Sequence, residues 1–316
     1  MNPAVYVLGG PDGYGGIEDD WGAIGLDLDL LAGPDVVLML MRRTCADGRP
    51  PSWFADEDVQ AGVLVDPDAK VLLLFLLEGP SVAMRTRRAV FALLRAAWPG
   101  WEVRWSYGGQ TGLRAHVGLD PADDAGRDRP VWPDDVFEAS APALAHPDPD
   151  VTVVTVDGPD RCHLMGFGLE HPVMQGPALL DRLEAVTDHG AHHELAESGL
   201  HIDQVRRRVG WWHTGYQIHP DTVAARWPGW TVEFWEDRWA EHRAASGGRF
   251  DPTEPDDTAA LTAVRDAALE HWSVIPGHEH AGLLCLVGLG LRGLTTRQAA
   301  AARAAIQDAY RGTAGA

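Results

Sequence analysis

The chain has 316 residues, 45% of them hydrophobic and 23% charged, a globular composition too apolar for a disordered protein. Its 26 basic and 46 acidic residues leave a net charge of −20, which excludes a general affinity for nucleic acid, because such binding rests on cations set against phosphates. The longest strongly apolar run, Val71–Leu77, is far too short to span a bilayer, and the opening Met-Asn-Pro-Ala-Val lacks the basic region of a secretory signal.

The N-terminal stretch from Gly9 to Trp21 is rich in glycine and closes on Glu18, Asp19 and Asp20. It lacks the alternating ligands of a calcium loop and reads as an acidic surface loop, so Glu18, Asp19, Asp20 and Trp21 are candidates for contact with a partner. Asp27 and Asp29 alternate with Leu26, Leu28 and Leu30, which predicts a half-buried strand with one solvated face. Lys70 is the only lysine. It follows Asp-Pro-Asp-Ala at the start of an apolar run, so it reads as a solvated strand end rather than a Schiff-base residue. No Gly-Lys-Ser/Thr and no Gly-x-Ser-x-Gly occurs, so a Walker A loop and a hydrolase elbow are both absent.

Val82, Val90, Leu94 and Ala97 fall at helical spacing, with Ser81 as N-cap. This helix runs into Trp98-Pro99-Gly100-Trp101, which recurs as Trp227-Pro228-Gly229-Trp230 after a helix with Pro220 at N1. Proline stops each helix and glycine permits the reversal, so both copies predict a helix-to-strand corner. Residues 120–150 carry six prolines and eight aspartates and read as a linker or surface loop between the two halves. A weaker echo links His163–Leu169 with Cys285–Leu291, each before a helix. Their Gly-x-Gly pairs lack the third glycine of a dinucleotide fingerprint. Further helices are predicted from Pro177, with Leu179, Leu180 and Leu183 inward, from Asp257 to Trp272, and from a Thr295–Gln298 capping box to Tyr310. The fold expected is α+β, with two similar lobes of mixed or antiparallel sheet, each with helices on one face and related by the Trp-Pro-Gly-Trp repeat. The lobes are placed at 1–119 and 151–316, on either side of the 120–150 linker.

Twelve of the 14 histidines lie between His163 and His280. In Asp188-His189-Gly-Ala-His192-His193-Glu194-Leu-Ala-Glu197, a helix would stack His189, His193 and Glu197 on one face. With Asp203 close behind, these residues have the ligand types of a zinc or iron site, and Glu194 would be the base of a metal-dependent hydrolase. His213 and His219 bracket the next strand, and His278-x-His280 reads as an exposed turn. Cys45, Cys162 and Cys285 are odd in number and far apart, which argues against a disulfide framework and for the cytoplasm. The 13 tryptophans supply core and corner residues and, on an acidic surface, the anchors of a protein interface. Two functions follow. The first is an acidic cytosolic binding or regulatory protein, immunity-like, that engages a basic protein partner and needs no cofactor. The second is the zinc or iron enzyme of the histidine-rich half.

Overall fold

The computed structural model describes residues 2–10, 13–45, 53, 59–119, 151–166, 171–215, 217–272 and 296–315. The 120–150 segment, His278, His280, Cys285 and Thr295 lie outside them. The chain divides into two compact units, 1–124 with 255–316, and 125–254.

The first unit is built on the strands β1 (Ala4–Gly10), β2 (Gly13–Asp19), β3 (Ala61–Asp66), β4 (Val71–Leu76) and β5 (Glu102–Trp105), in the order β2-β1-β3-β4-β5. Two antiparallel hairpins, β1/β2 and β3/β4, are joined by the parallel pair β1/β3, and β5 adds parallel to β4. A parallel pair needs a crossover, and helices supply it. Helices α1 (Leu26–Leu30) and α2 (Gly33–Thr44) lie between β1/β2 and β3, and α3 (Met84–Ala97) lies between β4 and β5. The second unit has β6 (Val151–Asp157), β7 (Arg161–Gly166), β8 (Ser198–Asp203), β9 (Arg208–His213) and β10 (Thr231–Phe234), in the order β7-β6-β8-β9-β10. Its pairing directions run antiparallel, parallel, antiparallel, parallel, as in the first. A 3-10 helix (Pro172–Ala178), α5 (Leu179–Leu183) and α6 (Pro220–Arg226) make its crossovers. The expected two-lobe α+β architecture is therefore present as two five-stranded mixed sheets.

Both tryptophan corners are formed. After α3, the Trp98 indole donates to the Leu30 carbonyl at 2.8 Å and meets Trp101 edge-on at 4.9 Å. After α6, Trp227 donates to the Val173 carbonyl at 2.7 Å and meets Trp230 edge-on at 5.1 Å. Gly100 and Gly229 each take φ of +78°, the left-handed conformation that the corner demands. Each buried indole thus fills core volume and satisfies the carbonyl of the preceding crossover.

Four expectations need correction. The Gly9–Trp21 stretch is mainly a hairpin rather than a loop, because its glycines pair in register, Gly9 with Tyr14 and Gly10 with Gly13. Asp27 and Asp29 sit in α1, not a strand, and both are buried. The period-2 pattern misleads because distant groups hold the two carboxylates: Ser81 N–H donates to Asp27 at 2.8 Å, and His271 bonds Asp29 at 2.7 Å. Ser81 therefore does not cap α3, which starts at Met84 after Ala83. Helices also cover both faces of the sheets. In the first unit α1, α2 and α3 pack one face, while Leu113 of α4 (Gln110–His116) packs the other with Val5, Val7, Leu64, Leu73 and Phe75.

The helices α8 (Asp257–His271) and α9 (Thr296–Ala314) contribute Val264, Ala268, Ala302 and Ile306 to the core of the first unit, beside α3. The 151–316 boundary read from the sequence differs from this division. The amphipathic pattern identified α8 but not the sheet it covers. Lys70 is exposed in the β3–β4 turn with φ of +54°, as its solvated reading requires.

Candidate binding cleft in the second unit

One face of the second sheet is a conventional core, where Val154, Val156, Leu200, Ile202, Val209 and Trp211 meet Val173, Leu179, Leu183 and Val223. The opposite face is polar. Register places Thr155, His201, Gly210 and Glu233 in one row across β6, β8, β9 and β10. The next row holds Asp157, Asp203, Arg208 and Thr231. Helix α7 (Trp239–Ala245) packs on this face and inserts His242, which is fully buried.

The same positions of the first sheet are apolar. Val7 pairs with Leu64 where Thr155 pairs with His201, and the fourth residue of α4 is Leu113 where that of α7 is His242. Gly62 leaves room for Phe75 and Leu113; Gly199, second in its strand as Gly62 is, leaves room for Trp212 and His242. An apolar triad thus suffices for this sheet topology. Burying a polar group without a compensating bond costs on the order of 1–3 kcal/mol. The polar set of the second unit is not something the fold requires.

That set forms a directed hydrogen-bond chain. The Trp212 indole donates to His242 Nδ1 at 3.1 Å. An indole is donor-only, so His242 carries its proton on Nε2 and donates it to Thr155 Oγ1 at 2.7 Å. The Thr155 hydroxyl then donates to His201 Nδ1 at 2.9 Å. His201 is left with its N–H on Nε2, where the nearest carboxylate oxygen, Asp157 Oδ2, lies at 3.5 Å. Burial pushes His242 well below the ordinary histidine range, and the nearby Arg249 charge works in the same direction. Burial also lowers His201, against the opposing pull of Asp157. Both shifts favour the neutral rings that this direction of the chain requires.

His201 is 6% exposed and lines a cleft of about 180 Å³ with Asp157, Asp203, Arg206, Arg208, Glu233 and Trp235. Gly210 lets the Trp235 ring lie directly on β9, between the His201 and Glu233 columns; any Cβ there would overlap the ring. Arg206 bonds Asp203 twice at 2.9 Å, through its backbone and its guanidinium. These bonds outweigh burial and hold the Asp203 carboxyl below its usual range. Arg208 reaches Glu233 at 2.6 Å and lowers its carboxyl in turn. Arg249 clamps the cleft from behind, bonding Asp157, the Val156 carbonyl at 3.1 Å and Asp160 at 2.9 Å.

The proposed metal face is not assembled. Residues 188–197 are not helical. Gly190 takes φ of +70°, Asp188 accepts N–H groups from Cys162 and Gly190, and His192 bridges to Phe250. The stacking of His189, His193 and Glu197 on one helix face is lost with the helix. His189, His193 and Glu194 are exposed, and the Glu197 backbone carbonyl receives Thr214. Asp203 lies in the cleft, engaged by Arg206. Among the described residues no group of three or more His, Cys, Asp or Glu side chains has an arrangement that would hold a metal. His213 is buried, and His219 caps α6 by accepting the Asp221 N–H.

At the partner-contact candidates, Glu18 accepts the Trp53 N–H and Asp19 the Trp21 N–H, both at 2.9 Å, while Asp20 is exposed. The tryptophans are less available than expected. Trp98, Trp211, Trp212, Trp227 and Trp272 are fully buried, and the exposed large hydrophobics among the described residues are Ile24 and Val205. Sequence reading noted His201 and Asp203 only as a tail of the histidine run. Thr155, Asp157, Trp235, His242 and Arg249 went unnoticed. The one available signal was Thr155 set between Val154 and Val156, and His201 between Leu200 and Ile202.

Burial pushes the Cys162 thiol up to about 12 and the Cys45 thiol to about 11, so neither is a thiolate nucleophile. Comparison of the chain with protein families, curated proteins and solved structures gives no match. No described helix is long and apolar enough to cross a membrane.

Proposed function

We propose that the chain is an acidic, non-catalytic binding or regulatory protein, immunity-like in profile, that engages a basic protein partner through surface carboxylates. The observation that carries this reading is the contrast between an excess of 20 negative charges and the silence of the reactive groups. Both described cysteines are buried thiols, and the Thr155 hydroxyl is fully buried and committed to two imidazoles. Carboxylates steer and orient a cationic partner. Asp19 and Asp20, at the end of the edge strand β2, are offered as one contact, with Glu18 and Trp21 beside them. Buried tryptophans leave the carboxylates to supply most of that contact.

The two units are read as copies of one module, marked by the Trp-Pro-Gly-Trp corner and the shared strand order, with the second copy altered on its polar face. Free buried thiols suit a cytoplasmic setting. The zinc or iron hydrolase reading keeps its residue types but has lost the helix that would have gathered them.

The test is binding of a defined arginine-rich peptide across a salt series, followed by calorimetry. Affinity should fall steeply with salt, and D19N/D20N should weaken it several-fold without unfolding the chain. Salt-independent binding, or none at low salt, would overturn the proposal. Stoichiometric zinc or iron in untagged protein, lost in His193→Ala, would restore the enzymatic reading.

A further inference from the structure

We propose that the cleft of the second unit is a binding site for a small zwitterion of the amino-acid type, separate from the basic-partner contact. Because the Trp212–His242–Thr155 chain is directed outward, His201 presents an N–H, not a lone pair, to the cleft. The His201 ring is more than nine-tenths buried and lines the cleft, and Asp157 Oδ2 at 3.5 Å is long for a hydrogen bond to its Nε2, so an acceptor oxygen on a ligand would match that N–H better. The same tautomer argues against His201 as a metal ligand, since ligation would require the proton to leave Nε2.

The rest of the lining sets the ligand's charges. Arg208 stands beside the cleft as a cation with donor capacity beyond its bond to Glu233. Asp157 uses one oxygen for Arg249 and turns the other toward His201 and the cleft. Glu233 gives one oxygen to Arg208 and holds the second near the Trp235 indole nitrogen at 3.5 Å. A simple anion would meet Asp157, Asp203 and Glu233. A simple cation would meet Arg206 and Arg208 and leave the His201 N–H unmatched. A ligand bearing both an acidic and an amino group satisfies both signs of charge: its carboxylate on His201 Nε2 and Arg208, its ammonium on Glu233. The Trp235 ring forms the apolar wall for its side chain.

The matching positions of the first sheet argue that this set is not structural. Where the second sheet has Thr155, His201 and Gly210, the first has Val7, Leu64 and Leu73, all buried in an apolar cluster. The replacement converts a sealed face into an open one at the point where Gly210 admits Trp235.

The experiment is calorimetry and thermal shift with free glycine, alanine, leucine, glutamine and phenylalanine, then with the N-acetyl and amide derivatives of whichever binds. At least one free amino acid should bind, and removing either charge should weaken it by about tenfold or more, the usual cost of a lost charge-assisted hydrogen bond. Glu233→Gln should weaken the ammonium contact, and Arg208→Gln the carboxylate contact. Both residues are on the exposed rim, so the variants should keep the fold. His201→Phe should abolish discrimination between the free acid and its amide. The proposal is overturned if no free amino acid binds at millimolar concentration, or if the acetyl and amide derivatives bind as tightly. Binding of a lone carboxylate or a lone amine with equal affinity also overturns it. None of these results bears on the arginine-rich peptide, so the two proposals fail separately.

Discussion

Acidification should melt the second unit before the first. His171 and His192 are buried in the second unit, and burial lowers them to about 3 and about 4. In the unfolded chain each returns to the ordinary value near 6.5. Between that value and the folded one, the unfolded state binds the extra proton, so stability falls as pH falls. Over the roughly 1.5 pH units from 6.5 to 5, each contributes a loss of about 2 kcal/mol, at about 1.4 kcal/mol per pH unit. The two together remove about 4 kcal/mol, a large share of the stability of a typical domain. His163, His201 and His242 are lowered in the same direction and add to the loss. The first unit responds oppositely through His271. Burial opposes its charge, but the Asp29 hydrogen bond and the Asp29 and Asp27 charges prevail and raise it. That contribution is complete below about 6.5 and fades only as pH rises through the raised value. Native-state hydrogen exchange at pH 7 and pH 5, corrected for intrinsic rates, resolves the units by peptide. Protection in β6–β10 should drop by two or more orders of magnitude while β1–β5 hold. His171→Gln should flatten the dependence even if it lowers stability at pH 7. Equal loss in both sheets, or unchanged protection of β6–β10, would refute the reasoning.

Gly210→Ala should displace the Trp235 ring, cost about 1–3 kcal/mol as an overpacking change, and shift tryptophan emission; urea titration followed by fluorescence checks both effects. Trp98→Phe and Trp227→Phe each leave a buried carbonyl without its donor. Each should cost about 1–3 kcal/mol for the orphaned carbonyl and more for lost volume, with the exchange protection lost mainly in its own unit. Asp29→Asn should bring the His271 titration down toward or below the ordinary value, readable by NMR, and reduce the stability of the first unit most below about pH 6.5. The combined T155V/H201L/H242L/W212F change, which also removes the indole N–H that His242 accepts, should raise the stability of the second unit and remove its acid sensitivity in part, as measured by denaturant midpoints at pH 7 and 5.

The parts of the fold that local chemistry determines were readable from the sequence. Proline and glycine within Trp-Pro-Gly-Trp fix each corner, and Pro220 starts α6 at its first position. The Val264–Ala268–Trp272 stripe identified α8. Features that depend on distant partners were not readable. Asp27 and Asp29 look solvated until Ser81 and His271 are brought to them across 54 and 242 residues. His189 and His193 look like ligands until Asp188 and Gly190 turn the chain away from a helix. The cleft was missed for the same reason. Asp157, His201 and the Glu233–Trp235 pair come from three separate segments, and only strand register aligns them.

The chain leaves the first unit after residue 124 and re-enters it at 255, so the second unit is an insertion within its host. Nascent chains usually consolidate from the N-terminus onward. Here the ribosome releases every residue of the inserted unit before it supplies Val264, Ala268, Ala302 and Ile306, which seal the sheet that was translated first. During synthesis the guest is complete while the host still exposes the apolar surface of α3. That window is when a chaperone has most to protect.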